Sequence, residues 1–113
     1  VQVSTESDSY GYDISSVFSK KKKKKLRIEV KTSREYWENA RLHLTRNEFG
    51  TCRKHTDSYI FHLWDISDDT PLLLKVKVSE VVKHCPEDSG DGEWESVRIE
   101  FSAFDWKNAE RFE

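Results

Sequence analysis

Cysteine is scarce in this chain: Cys52 and Cys85 are the only two. That is too few for the disulfide framework of a small secreted domain, so an intracellular location is expected. No apolar run approaches the ~20 residues needed to cross a bilayer, and no charged-then-apolar leader opens the chain, so no membrane partner is expected. A glycine-rich phosphate loop, a nucleophile elbow and a cofactor fingerprint are all missing. No internal repeat is visible.

What the chain does have is charge. Its 113 residues are 35% hydrophobic and 35% charged, which fits one domain with a modest core. The net charge of −2 hides an asymmetry. Lys20, Lys21, Lys22, Lys23, Lys24 and Lys25 are consecutive, and without those six charges the remaining residues carry −8. A protein that grips nucleic acid over a broad face usually has a basic surface, because phosphate contacts dominate affinity. Any such contact here is therefore expected to be local, or to be supplied by another domain. The lysine run with Arg27 resembles a polyanion-binding or nuclear-localisation stretch. It reads equally as a solvated hairpin tip, since like charges repel and favour an extended loop.

Residues 1–9 are polar and read as a flexible start or linker, leaving 10–113 as a single domain. Alternation predicts strands over 10–18 and 26–31, which form a hairpin with the lysines at its tip. Leu26, Ile28 and Val30 then share one face of the second strand, and Arg27, Glu29 and Lys31 the other. A third strand is expected over 41–44. Thr45 and Glu48 next form the two halves of a capping box, flanked by the staple pair Leu44 and Phe49, and open a helix to about His55. Gly50 weakens that helix. Further strands are expected over 59–66, 72–78 and 93–101, with a helical turn over 79–84. The tail carrying Phe104, Trp106 and Phe112 is read as a short helix packing back on the sheet. The fold class is α/β: a mixed central sheet of five or six strands with one main helix.

One polar constellation stands out. Asp13 in the first strand and Glu29 with Lys31 in the second can converge at one spot on the sheet. Two carboxylates and a lysine are what metal-assisted phosphodiester hydrolysis needs. The acids hold Mg²⁺ or Mn²⁺, the ion polarises the phosphate and acidifies a bound water, and the lysine orients or deprotonates the nucleophile. The plain alternative is a solvated or cross-strand ion-paired face.

Three motifs add to this. Gly11-Tyr12-Asp13-Ile14, then Ile28-Glu29-Val30-Lys31-Thr32, then Leu44-Thr45-Arg46-Asn47-Glu48-Phe49 form an ordered set. It resembles the NO VEIN C-terminal domain family, which is similar to PD-(D/E)XK nucleases with a restriction-endonuclease-like core. The resemblance implies Asp13 and Glu29 as metal ligands, the Val30 carbonyl as a further ligand and Lys31 as the catalytic lysine. It also implies an acidic helix ahead of Asp13, where this chain offers only Glu6 and Asp8. Two functions are therefore expected as alternatives. One is a nuclease-like domain of a larger protein that acts on or recognises nucleic acid, with Mg-dependent endonuclease activity weakened or lost and the isolated chain expected to be inactive. The other is an inactive nuclease-like fold used as a protein-interaction module.

Other features have plainer readings. Cys52 and His55 lie one helical turn apart, and His84 adjoins Cys85, but this does not match familiar zinc spacing. Trp64 reads as core and Trp37 as a surface contact. Glu35 and Glu38 read as polar loop or as auxiliary acids.

Overall fold

A computed structural model describes residues 14–18, 25–87 and 93–112, with 14–18 and 25 described by their backbone only. The elements are β1 (Ile14–Phe18), β2 (Lys25–Ser33), β3 (Arg41–Thr45), α1 (Arg46–Lys54), β4 (Tyr59–Asp65), β5 (Leu72–Lys77), α2 (Val78–Val82), β6 (Ser96–Glu100) and β7 (Glu110–Arg111). The expected α/β class holds. The central sheet has the order β1-β2-β4-β5-β7, and β3 with β6 forms a separate two-stranded sheet.

The expected hairpin forms. β1 pairs antiparallel with β2, Ile14 opposite Ile28, with a bulge between Ser15 and Val17. β2 then runs parallel to β4 from Arg27 opposite Tyr59 to Ser33 opposite Asp65. A parallel pair needs a crossover connection, and here it carries β3 and α1, which places the helix against the face of β2. β4 and β5 complete the sheet antiparallel, with Leu63 opposite Leu74.

α1 begins where its caps dictate. The Thr45 hydroxyl accepts from the Glu48 N–H, and the Glu48 carboxylate accepts from the Thr45 N–H. Arg53 and Lys54 occupy the last turn, where their charge complements the helix dipole. The apolar residues Leu42, Leu44, Phe49, Cys52, Phe61, Leu63, Val78, Val81, Ile99 and Phe101 close one core between the sheet, α1 and the small sheet.

Three expectations change at the C-terminal end. The last strand is shorter than expected and leaves the central sheet to pair with β3, Leu42 opposite Ile99 and Leu44 opposite Val97. The tail forms 3₁₀ turns over Phe101–Ala103 and Trp106–Asn108 rather than a helix. Asp105 causes the second break, because its side chain accepts from the Lys107 N–H and the Asn108 amide, which closes a local turn. Trp64 is only half-buried and tilts against Phe112 at 5.2 Å, so it is not core.

Candidate functional site

Ladder partners on neighbouring strands point to the same side of a sheet, so the register places Glu29 beside Phe61 and Lys31 beside Leu63. That is the face covered by the core, since Phe61 and Leu63 are both 0% exposed. The Glu29 side chain is consequently only 1% exposed and that of Lys31 15%. This excludes a solvated strand face. Charged groups are almost never this buried unless paired, and the partners come from two further elements.

The Lys31 ammonium donates to both oxygens of Glu48 on α1, at 3.0 Å to Oε1 and 2.9 Å to Oε2. It also stands 3.3 Å from Glu29 Oε2. The Tyr59 hydroxyl of β4 donates to Glu29 Oε1 at 3.0 Å. The Thr45 N–H donates to Glu48 Oε1 at 2.9 Å. Glu48 therefore caps its own helix and at the same time locks that helix onto β2 through Lys31. Two carboxylates and one phenol enclose a single cation.

Burial alone works to lower the Lys31 pKa, but the Glu29 and Glu48 carboxylates outweigh it and hold the amine above its ordinary value. The side chain is accordingly kept as an ammonium. Burial, and then the adjacent Glu29 carboxylate, pushes the Tyr59 phenol far above its usual range. Burial is also the main cause that pushes the nearby Cys52 thiol up to about 12.

The structure thus brings Glu29 and Lys31 together, with Val30 between them turning its side chain, 6% exposed, to the opposite face. Arg27 lies half-buried on β2, and Lys25 begins that strand. Asp13, and Lys20 to Lys24, lie outside the described residues. Glu48 is the residue that the sequence reading passed over as a site residue. Its signal was present in the capping box, but the cap alone accounted for it. Trp37 needs correction as a surface contact: it is half-buried and stacks on Trp106 at 5.5 Å and 9°. Its N–H donates to the buried Asp65 carboxylate at 3.0 Å. Glu35 and Glu38 are exposed. Among the described residues no three His, Cys, Asp or Glu side chains group as a metal site. Cys52 instead donates to the Phe49 carbonyl.

A polar cleft of about 250 Å³ lies at the Ser33 end of β2, with Arg41, His43 and Arg98 of the small sheet in its wall. Among the described residues, no helix is long and apolar enough to cross a membrane.

A mixed α/β domain whose parallel strand pair carries a buried Glu–Lys–Glu centre under a crossover helix is the class that fold and site define. Residues 1–78, which hold all three sequence motifs and every member of the centre, match the family model described as "Protein NO VEIN, C-terminal". The chain belongs to that family. Searches of curated proteins and of solved structures returned no match.

Proposed function

We propose that this is a nuclease-like domain that acts on nucleic acid as part of a larger protein, with Glu29, Lys31 and Glu48 as its reaction centre. The observation that carries the reading is the closure of two buried carboxylates from different elements on one lysine. Buried ion pairs of this kind are expensive and seldom stabilise a fold better than apolar residues would. Clusters of buried ionisable groups concentrate at functional sites.

The donor chemistry fits a hard divalent cation. The carboxylates of Glu29 and Glu48 both face the Lys31 ammonium, so they would hold a divalent ion only where that ammonium swings aside. Oxygen ligands of that type suit Mg²⁺ or Mn²⁺. Glu29 and Glu48 would hold the ion, with Asp13 and the Val30 carbonyl as further ligands that the family resemblance offers. Such an ion supplies Lewis-acid polarisation of a phosphate and a more acidic water. Tyr59 keeps Glu29 oriented from behind, and Thr45 does the same for Glu48. Lys31, held as an ammonium, serves as a donor to a phosphate oxygen or to the attacking water rather than as a base. Arg41 and Arg98, with Glu35, line the separate cleft at the Ser33 end of β2.

The same closure supports a second reading. Lys31 satisfies both carboxylates internally, which fits an inactive nuclease-like fold that serves as an interaction module. The two are separated by incubating the chain with single- and double-stranded DNA and RNA in Mn²⁺. Cleavage lost in Lys31→Ala and Glu48→Gln, under conditions where circular dichroism shows both variants folded, supports the enzyme. Absence of cleavage at high enzyme concentration overturns it in favour of the module.

A further inference from the structure

On α1 the residues Arg46, Phe49 and Arg53 recur at i, i+3 and i+7 and so share one face. At about 100° per residue, that face points well away from Glu48 and the Lys31 centre. It forms one wall of a cleft of about 420 Å³, closed by Lys83, Cys85, Pro86 and Glu87 beyond α2 and by Trp94. That volume lies within the range typical of small-molecule sites.

The cleft is built rather than incidental. Phe49 and Trp94 meet edge to face, with centroids 4.8 Å apart. The Trp94 indole is fixed by a 2.9 Å bond from Nε1 to the Pro86 carbonyl. The Arg46 guanidinium sits 4.7 Å over the Trp94 ring and 5.3 Å over Phe49, and that of Arg53 lies 5.2 Å from Phe49 on its own side. Three cationic side chains, Arg46, Arg53 and Lys83, thus line the cleft, and among the described residues its lining acid is Glu87. Glu93, 3.8 Å from Arg46, and Glu80, 3.2 Å from Lys83, moderate that charge at the rim. Arg46 and Arg53 are both stacked on the aromatic floor.

We propose that this cleft is a second binding site, one that takes a nucleotide unit of single-stranded nucleic acid. The base would stack against the half-buried Trp94, which the core residue Phe49 backs, and its phosphates would pair with Arg53, Lys83 and Arg46. Aromatic platforms flanked by arginines bind unpaired bases without sequence preference, because every base has a π-face and every unit a phosphate. A duplex hides its base faces and cannot use the platform. The site extends the nucleic-acid reading above but does not require the Lys31 centre to be active.

The test is therefore run in EDTA, so that failure of the metal centre does not enter it. The lysines at 20–25 are replaced by serine throughout, which removes their separate contribution. Trp fluorescence and anisotropy follow titration with a labelled ten-nucleotide oligo-dT and with a duplex of the same length. The expected result is preferential binding of the single strand with quenching of Trp emission. The exposed pair Arg53→Glu and Lys83→Glu, which should leave the fold intact as judged by circular dichroism, is expected to weaken that binding more than tenfold. Equal affinity for duplex and single strand, absence of quenching, or unchanged affinity in the double variant would each overturn the proposal. Binding of an acidic aromatic peptide in preference to the oligonucleotide would overturn it too.

Discussion

Replacing Lys31 by Met keeps the length and apolar stem of the side chain but removes the ammonium that lies between Glu29 and Glu48. Both carboxylates, 1% and 0% exposed, would then face each other in the core without it. Removing one partner of a buried ion pair costs about 3–5 kcal/mol, because the remaining charge stays buried. Against a typical domain stability of ~5–15 kcal/mol, this brings the variant close to unfolding. The sign with pH follows. Buried without that ammonium, the two carboxyls would have folded-state pKa values raised above the ordinary carboxylate value of ~4.3, so protonation favours the folded form. The variant should therefore regain stability as pH falls from 7 towards 5. In the natural chain the shift is on Lys31 and is upward, so its contribution is fully present below the unfolded-state lysine pKa of ~10.4. It is lost only as pH rises through the folded value. Urea denaturation at pH 7 and pH 5 measures the first effect, and the same assay above the unfolded-state lysine value of ~10.4 measures the second. Adding Glu29→Gln and Glu48→Gln to Lys31→Met should recover most of the loss, since glutamine oxygens can still accept from Tyr59 and Thr45. A cost below about 1 kcal/mol at pH 7, or a cost that does not shrink at pH 5, would refute the closed ion-pair account.

Other expectations follow from the helix and the cysteines. Thr45→Ala removes the hydroxyl that caps α1 and should cost about 1 kcal/mol in the same denaturation assay. Gly50→Ala should stabilise by about 0.5–1 kcal/mol, because Gly50 lies in the helix interior and an added Cβ meets nothing within 4 Å. Thiol modification with an aromatic disulfide at pH 8 should label the half-buried Cys85 in the native protein and reach Cys52 only on unfolding. Burial raises both thiols, but it raises Cys52 to about 12 and shields it completely.

Much of the fold was legible because local rules and tertiary packing agree. The alternation of Leu26, Ile28 and Val30 marks β2, and the Thr45–Glu48 box marks the start of α1 within a residue. What alternation cannot supply is which face of a strand is covered, or which strand lies beside it. Glu29 and Lys31 looked like an outward polar row, yet the α1 crossover turns that row into part of the interior. β6 likewise carries its apolar residues at the right spacing, but its pairing with β3 depends on a connection of fifty residues. Glu48 was hidden differently. One carboxylate performs two tasks, and the local one was sufficient to explain its presence. Trp37 was misplaced because its neighbours Ser33 to Asn39 are polar, while its partner Trp106 lies far along the chain.

The claim that Glu29 and Glu48 can hold a divalent cation in place of the Lys31 ammonium is tested most directly by thermal unfolding in Mn²⁺. An ion that binds only the native state stabilises it by mass action, by about 2.7 kcal/mol at a hundred times its Kd. The account predicts a melting temperature that rises with Mn²⁺ concentration in the natural chain and rises much less in Glu48→Gln, where the helix cap can persist but one ligand charge is gone. A melting temperature indifferent to millimolar Mn²⁺, or an equal rise in both proteins, would contradict it.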